Sequence, residues 1–446
     1  MVIETQKHYH QRGEIMMTQS VLPFKLEISD EKMTAHAGLA VFGEFVHATA
    51  ILREVDKMLK GPGSAAGYKP SQYVEPLMLM LHGGGRSLED LRVIRSDVAL
   101  QELMGIQEIP SSDAVGDWLR RQSKGEGLTG LAAVRRLVVR RALNLSTITD
   151  YTLDIDATQI IAEKEDAKIT YKGEKGYMPI VGHLAENGLV IGEEFRRGND
   201  APGARNLEFI MHCRQQMPAG MRITRLRSDS AAYQADIINW CEADDDAPVL
   251  FAIGADMDAA VKSVISVIPS AAWSPYQDGH IAETVHSMNR TKKAFRLIVI
   301  RRSAQMDLLT GREKASERYT VIASNRPETA QETVAWYNRR GDCSENRIKE
   351  LKIGFGMERM PCGDFGANAM FFRLGTIAYN LFVMFKASAL SSQWQHVQVQ
   401  TVRWRLYHVA GKVVRHGRRL ILKVSAWVHE LLAEIRARSR ELACAT

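Results

Sequence analysis

The sequence predicts an α/β protein in which helices flank a mixed sheet. The first observation is a change of hydrophobic period, because apolar residues recur at helical spacing from Lys32 to Asn144 and alternate after Thr149. The second is the order of elements after Thr149, where three strands precede helix, strand, helix and strand. Strands that alternate with helices pair in parallel through right-handed crossovers. Three antiparallel strands followed by this alternation give the order of an RNase H-like sheet.

The N-terminal region is predicted to be helical. One apolar stripe runs from Leu39 to Val46 and another from Val74 to Leu81, with a break at Gly61 to Gly67 between them. Ser111 or Ser112 is placed to cap a short helix that exposes Arg120 and Arg121. This resembles a helix-turn-helix element in outline, although any all-helical packing module has the same pattern.

The strands of the core are read from alternation and from one turn. Asn187-Gly188 is a strong hairpin signal, and three strands surround or precede it. The predicted order is strand Tyr151 to Ile161, strand Met178 to Leu184, strand Leu189 to Phe195, helix Leu207 to Met217, strand Arg222 to Asp229, helix Ala231 to Cys241 and strand Pro248 to Ala255.

A β-rich insertion interrupts this order. Arg296 to Arg302 and Arg318 to Ser324 read as strands joined by a polar loop, and a long helix then begins near Pro327. The predicted organisation is a disordered leader at 1–20, a helical DNA-binding domain at 21–145, the catalytic core at 146–255 and 325–390, the insertion at 256–324 and basic C-terminal helices at 391–446.

Composition excludes several classes of protein. The chain of 446 residues is 45% hydrophobic and 25% charged, which is typical of globular proteins. The longest apolar stretch, around Ile377 to Phe385, is too short to span a bilayer, and no signal peptide is recognised. Five cysteines without paired spacing predict neither a disulfide framework nor a zinc knuckle. His82 to Gly85 resembles an esterase oxyanion loop, but no Gly-x-Ser-x-Gly elbow accompanies it, so these glycines are predicted to form an interhelical loop. The expected location is the cytoplasm, without membrane association.

Positive charge is concentrated at the C-terminus. From Lys386 onward there are eleven Lys and Arg but three Glu, although the whole chain carries only +6. Apolar residues recur at helical intervals among the cations, which predicts a helix with a core face and a cationic face that follows a phosphate backbone. A merely solvated basic face is the alternative. The apolar set is Val402, Leu406, Val409, Val413 and Leu420, and the candidate DNA-binding cations are Arg415, Arg418 and Arg419.

Three carboxylates are predicted to converge on one edge of the sheet. Asp156 lies on the central first strand, Asp229 ends the strand beside it, and Glu345 lies on the closing helix. Together they would bind two Mg²⁺ ions, with Mn²⁺ as a substitute, and support hydrolysis of a phosphodiester.

Each of these carboxylates has a competing interpretation. Asp154 shares the face of Asp156, and Glu350 lies on the same helix as Glu345. Glu345 also has Lys349 at i+4 for a surface ion pair. Asp229 is placed to cap the helix that follows it.

Three motifs resemble the DDE transposases of bacterial insertion sequences. They are Leu-Asp-Ile-Asp-Ala-Thr at 153–158, Leu-Arg-Ser-Asp-Ser at 226–230 and Trp-Tyr-Asn-Arg-Arg-Gly-Asp-Cys-Ser-Glu-Asn-Arg-Ile-Lys-Glu-Leu-Lys at 336–352. The resemblance is to the group with a β-strand insertion and a Tyr-Arg-Glu-Lys signature. It implies that Asp156 rather than Asp154 is the metal ligand. It also implies cut-and-paste transposition by a dimer that acts on terminal inverted repeats and target DNA near the bacterial nucleoid.

The signature implies roles for residues of the closing helix. Tyr337, Arg340, Glu345 and Lys352 match it, but four residues separate Arg340 from Glu345 where the signature has three. Arg339 therefore stays an alternative to Arg340. Gly341 and Asp342 are expected to break the helix just after Arg340, with Asp342 or Ser344 capping a new turn. Such a kink would absorb the extra residue.

Two further DNA contacts and two alternative functions complete the expectations. Lys349 is close enough to Glu345 on the helix to hold a phosphate near the cut, and the resemblance makes Trp273 a candidate to stack on a flipped base. The alternatives are a domesticated or inactive transposase that only binds DNA, and a structure-specific nuclease on the same fold.

Overall fold

The computed structural model describes residue 24 and residues 26–64, 67–302 and 318–445. The predicted leader at 1–20 and the polar loop between the two insertion strands lie outside the described residues. None of the helices in the described ranges is both long enough and apolar enough to cross a membrane.

The N-terminal region is helical, as predicted. Both predicted apolar stripes are buried, and Gly84, with φ +102°, ends the helix that carries His82. Ser111 caps the helix that follows it by accepting a hydrogen bond from the Ala114 amide at 3.2 Å. The helices are α1 (Ala37–Ala48), α2 (Ile51–Met58), α3 (Pro70–Gly83), α4 (Leu91–Ser96), α5 (Val98–Met104), α6 (Ser112–Ser123) and α7 (Gly127–Leu143), and a two-residue strand, β1 (Met33–Thr34), precedes them.

The central sheet contains the predicted strands in the predicted order. The first, β2 (Asp150–Ala157), pairs antiparallel with β6 (Ile180–Leu184), which pairs antiparallel with β7 (Val190–Glu194). On its other side, β2 pairs in parallel with β8 (Arg222–Ser228), and β8 with β9 (Leu250–Gly254). The order β7-β6-β2-β8-β9 is that of an RNase H-like core, with β2 in the middle.

The first strand is shorter than predicted. It ends at Ala157, and the chain then forms a small separate sheet of β3 (Ile160–Ile161), β4 (Lys168–Ile169) and β5 (Lys175–Tyr177). The alternating pattern continues through both strands, so alternation alone did not show the boundary between them.

The insertion strands extend the central sheet. They form an antiparallel series in which β13 pairs with β9, giving nine strands in the order β10-β11-β12-β13-β9-β8-β2-β6-β7. The strands are β10 (Ser274–Tyr276), β11 (Gly279–His286), β12 (Phe295–Arg302) and β13 (Arg318–Ser324). The helices of this half of the chain are α8 (Asn206–Gln215), α9 (Ala235–Cys241) and α10 (Ala259–Ser266).

The closing helix begins at α11 (Ala330–Arg340), capped by Thr329, three residues later than predicted at Pro327. It continues through a π-helical segment at Gly341–Glu345, α12 (Asn346–Lys349) and a second π-helical segment at Glu350–Gly354.

Buried polar contacts join the helical region to the sheet. The long helix α13 (Phe365–Ala389) is mostly buried, and its Asn380 side chain accepts from the Val190 amide and donates to the Val190 carbonyl, both at 2.8 Å. Glu193 on β7 pairs with Arg373 of α13 and with Arg135 of α7. The central sheet and the N-terminal helices are therefore held together by a buried ionic cluster.

The predicted basic C-terminal helix is wrong over 411–424. The chain is helical only through α14 (Val399–Val402) and a π-helical segment at Arg403–Tyr407, and then forms a hairpin of β14 (Gly411–His416) and β15 (Arg419–Val424). Gly417 and Arg418 have φ +51° and +68°, which fits a two-residue hairpin turn. β14 also pairs with β1, and the final helix α15 (Ala426–Ala445) follows as predicted.

The helix prediction failed over 411–424 because the spacing of apolar residues there is compatible with both a helix and a hairpin. Val402, Leu406, Val409 and Val413 are buried as a helical stripe would require, but Leu420 is 37% exposed. The Val- and Ile-rich segment from Gly411 onward favours strands, and Gly417 supplies the turn.

Candidate active site

The register of two parallel strands places Asp156 beside Asp229. Asp154 pairs with Arg227 and Ile155 with Ser228 between β2 and β8. Asp156 is the next residue of β2, and Asp229 directly follows the end of β8. Because neighbouring strands lie about 4.8 Å apart, the two carboxylates occupy one edge of the sheet.

The electrostatic environment of Asp156 includes both of the other acids. The pKa of the Asp156 carboxyl is raised to about 6, mainly by burial; Arg340 opposes the rise, and the negative charges of Asp229, Glu345 and Asp154 contribute to it. Glu345 itself is exposed to solvent. The charges of Asp229 and Glu345 thus act on Asp156, the acid that the sequence singled out on the first strand.

Arg340 is directed into this site, and Arg339 is not. The Nη2 atom of Arg340 lies 3.4 Å from Oδ2 of Asp156 and donates to the Ile155 carbonyl at 3.3 Å. Arg339 is exposed, and its charge acts on Arg326. The geometry favours Arg340 as the arginine of the signature.

The expected kink after Arg340 is wrong, because the helix continues through a π turn. Gly341 and Glu345 both have right-handed helical backbone angles, with φ −56° and −62°. In a π-helix each amide bonds to the carbonyl five residues back, so one turn holds one more residue than an α turn. The additional residue between Arg340 and Glu345 is accommodated without a new cap.

The two competing carboxylates have structural partners. Both oxygens of buried Asp154 accept hydrogen bonds from Arg227, each at 2.7 Å. Burial raises the pKa of Asp154, and Arg227 opposes that rise. Glu350 accepts from the Val399 amide at 2.7 Å and thereby caps α14. Neither is placed as Asp156 and Glu345 are.

Asp229 does serve as a cap, as the alternative interpretation predicted. Its Oδ1 accepts a hydrogen bond from the Ala231 amide at 3.1 Å, at the start of a 3₁₀ turn. A carboxylate has two oxygens, each able to accept more than one hydrogen bond, so a cap and a metal ligand are compatible.

Tyr337 and Lys352 both lie within reach of the charge of Asp156. The Tyr337 hydroxyl packs on Gly254, where an added Cβ would lie 2.9 Å away. Burial raises the Tyr337 pKa, which Arg340 lowers and Asp229 raises. Lys352 donates to the Gln159 carbonyl at 2.7 Å, and burial lowers its pKa.

Lys349 lies on the same closing helix, in α12, and its side chain is exposed to solvent.

The other candidate DNA contacts lie elsewhere. The Arg301 guanidinium lies over the Trp273 ring, 4.3 Å from the ring centroid. Trp273 stands next to β10 at the outer edge of the sheet. Six strand spacings separate β10 from β2, or roughly 30 Å along the sheet. In the C-terminal hairpin, Arg415 pairs with Glu102 at 2.7 Å, whereas Arg418 and Arg419 are exposed at the turn.

Two arginines that support the site were missed from the sequence. The Arg227 guanidinium bonds Asp154, donates to the Trp336 carbonyl at 2.7 Å and lies 4.9 Å from the Trp336 ring, so it ties α11 to β8. Arg347 donates to the carbonyls of Leu184 at 2.9 Å and Ala185 at 2.8 Å, so it ties the same helix to β6. For Arg227, the available signal in the sequence was its position two residues before Asp229, because residues two apart on a strand share a face.

The donor set suits a hard divalent cation. Within the described residues no three or more His, Cys, Asp or Glu side chains are already gathered as a metal site. The charges of Asp229 and Glu345 nevertheless disfavour the ionised form of Asp156, and all three side chains offer oxygen ligands. A cation would relieve that repulsion, and carboxylate oxygens are preferred by Mg²⁺ and Mn²⁺.

Comparisons with known proteins identify a family for nearly the whole chain. A family model described as "Transposase DDE domain group 1" matches residues 19–443. Among solved structures, the chain is similar to the one in "Cryo-EM structure of piggyBac transposase synaptic complex with hairpin DNA", with a TM-score of 0.46 and 12% identity, covering 85% of this chain and 82% of that chain. No curated protein matches.

Proposed function

Because the chain belongs to the transposase DDE domain group 1 family, we propose that Asp156, Asp229 and Glu345 are its catalytic acids. The protein is a DNA transposase, an enzyme that cleaves DNA and transfers strands. The observation that supports the residue assignment is the β2–β8 register, whose last pair, Ile155 and Ser228, directly precedes Asp156 and Asp229.

The three carboxylates would hold two Mg²⁺ ions, for which Mn²⁺ is a substitute. When bound, such ions activate the attacking oxygen and stabilise the leaving oxygen of a phosphodiester. Asp156 and Asp229 approach from adjacent strand ends, and Glu345 approaches from the helix above them. The unfavourable effect of Asp229 and Glu345 on ionised Asp156 supports this role, since a bound cation would relieve it.

The cations around the acids would hold the DNA backbone. Arg340 is placed to contact a phosphate next to the cut, because its guanidinium already faces Asp156. Lys352 and Tyr337 both lie within reach of the charge of Asp156, and the exposed Lys349 is also available on the same helix. A phosphate bound among these groups would exchange the Arg340–Asp156 contact for a bidentate guanidinium–phosphate contact.

The substrates we propose are the terminal inverted repeats of an insertion sequence and a double-stranded target. A homodimer would hold the two ends together for cut-and-paste transposition, near the nucleoid in the bacterial cytoplasm. All three carboxylates are present, which favours a competent enzyme over an inactive DNA-binding derivative.

The decisive experiment measures cutting and joining of a duplex that carries the DNA repeat flanking the gene. Asp156→Asn, Asp229→Asn and Glu345→Gln should each lower both rates by at least about a hundredfold, since a ligand that stabilises the transition state is lost. Binding of the duplex should be retained, because affinity depends mainly on Lys and Arg. Asp236→Asn, at an exposed aspartate on α9, is the matched control and should behave as wild type.

Two results would change the proposal. Near-normal cutting by one of the three variants would remove that residue from the site. Cutting without any joining of a pre-cut end to a target would instead identify a structure-specific nuclease.

A further inference from the structure

A groove of about 510 Å³ lies between the N-terminal helices and the catalytic core. One wall consists of residues 86–89 and the first part of α6, and the other consists of residues 161–164 and 358–362. Four cations from four separate segments line it: Arg86, Arg120, Lys164 and Arg359. Three acids, Glu89, Asp113 and Glu358, line it as well.

The groove begins where the proposed active site ends. Ile161, in the wall of the groove, is five residues beyond Asp156 in the sequence. Between them, the carbonyl of Gln159 accepts a hydrogen bond from the Lys352 ammonium at 2.7 Å. On the other side, the Glu358 amide donates to the Lys352 carbonyl at 3.2 Å. Lys352 therefore stands between the carboxylates and the groove.

The groove cations are available to a ligand. Lys164 and Arg359 form no ion pair with any residue in the described ranges. The ion pair of Arg86 with Glu358 is long, at 3.8 Å, and the Arg120–Asp117 ion pair is exposed to solvent. Exposed ion pairs contribute little to stability and are readily exchanged. A polyanion would thus meet cations on both walls.

Resting on the proposed function, we propose that this groove binds the sugar-phosphate backbone of the DNA next to the scissile bond. Phosphates would contact Lys164 and Arg359, and the exposed side chain of Ile161 would pack against sugars. Gly116 lines the groove beside these cations, and an added Cβ there would meet the Arg120 guanidinium at 3.6 Å, an ordinary contact distance. The N-terminal helices would then contribute to holding DNA through α6.

The test uses the full chain in EDTA, with binding followed by fluorescence anisotropy of a labelled duplex carrying the flanking repeat. The double variant Lys164→Gln/Arg359→Gln should bind about tenfold more weakly near 0.1 M salt, and the slope of log affinity against log salt should fall by about two, since two phosphate contacts are lost. Lys262→Gln removes an exposed charge on α10 and should change neither value.

A second pair of variants tests the position of the DNA. Gly116→Glu places a negative charge beside Arg120 and should weaken binding, whereas Gly116→Ala fits the available space and should not. If Gly116→Glu, folded as judged by its melting curve, binds as wild type does, the groove is not the path of the DNA.

Shortening the duplex on one side of the cut at a time identifies which DNA lies there. On the side that occupies the groove, shortening should weaken wild type but not the double variant, because both changes remove the same contacts. Sensitivity on the repeat side assigns the groove to the element end, and sensitivity on the other side assigns it to flanking DNA.

Two outcomes separate the inference from the proposed function. If wild type binds and cuts the end but the double variant has an unchanged affinity and salt slope, the groove inference is wrong and the proposed function stands. If wild type neither binds nor cuts, the proposed function itself is wrong.

Discussion

Replacing Asp156 by asparagine is expected to stabilise the metal-free protein at pH 8 while it abolishes catalysis. Burial, helped by Asp229 and Glu345, raises the pKa of this carboxyl from 3.8 to about 6 although Arg340 opposes the shift. The folded state therefore disfavours the ionised form that predominates above pH 6. Asparagine has nearly the same shape and carries no charge.

The size of the expected gain in stability is set by the pKa shift. A rise from 3.8 to about 6 is about two pH units, and each unit corresponds to about 1.4 kcal/mol. The side chain is 25% exposed, so solvent screening reduces the effect to about 1 to 3 kcal/mol. Because the pKa of Asp156 is higher in the folded state, the free-energy penalty for its ionisation is absent below the unfolded pKa of 3.8. The penalty grows between pH 3.8 and about 6 and is complete above that range.

The assay is urea unfolding in EDTA at pH 8 and at pH 4. Asp156→Asn should raise the free energy of unfolding at pH 8, and the gain should be nearly gone at pH 4. Added Mg²⁺ should stabilise wild type more than the variant.

Asp154→Asn provides a control of opposite sign on the same strand. It leaves the buried Arg227 without its charged partner, which should destabilise by about 3 kcal/mol. An Asp156→Asn protein no more stable than wild type at pH 8 would refute the reasoning.

Three further predictions concern the closing helix and the hairpin. Arg340→Ala should depress joining of pre-cut ends far more than Arg339→Ala, because only Arg340 faces Asp156. A dead Arg339→Ala beside a normal Arg340→Ala would show that the assignment is wrong. Charge reversal at Arg418 and Arg419, exposed at the hairpin turn, should lower the salt slope of DNA binding by about two, and an unchanged slope would mean a solvated face only. Deletion of Gly341 should leave joining within about tenfold of wild type, because a π turn that loses one residue becomes an α turn.

The order of the core strands could be predicted because it depends on local patterns. Alternation identifies β2, β6 and β7, and the Asn187-Gly188 turn fixes the pairing of two of them. The pairing of β13 with β9 could not be predicted in the same way, since nothing in either segment specifies a partner more than 60 residues away.

The sequence pattern predicted which strands and which helix carry the candidate acids. It did not distinguish these acids from the competing carboxylates on the same elements. Asp154 and Asp156 have the same periodicity, so the pattern does not distinguish them, whereas the contact of both Asp154 oxygens with Arg227 does. Likewise Glu350 differs from Glu345 by its bond to the Val399 amide, a contact 49 residues away in sequence. Such long-range partners decide which carboxylate is free to bind an ion.

The π turn at Gly341–Glu345 makes the deletion of Gly341 informative. A π turn holds one residue more than an α turn. Removing one residue from it should therefore leave an α turn, and buried Val334 before it and Leu351 after it should keep their faces. Gly341 is a suitable residue to remove, because it is exposed and an added Cβ there would meet nothing within 4 Å.

A deletion of Ala335, which lies in regular α-helix before the π turn, is the matched control. Removing one residue from an α-helix rotates the rest of the helix by about 100°, which would turn Arg340 away from Asp156. The Ala335 deletion should therefore lose joining activity while the Gly341 deletion retains it. If the Gly341 deletion folds but cannot join strands, the wider turn itself aligns Arg340 with Glu345, and its role is more than the accommodation of one additional residue.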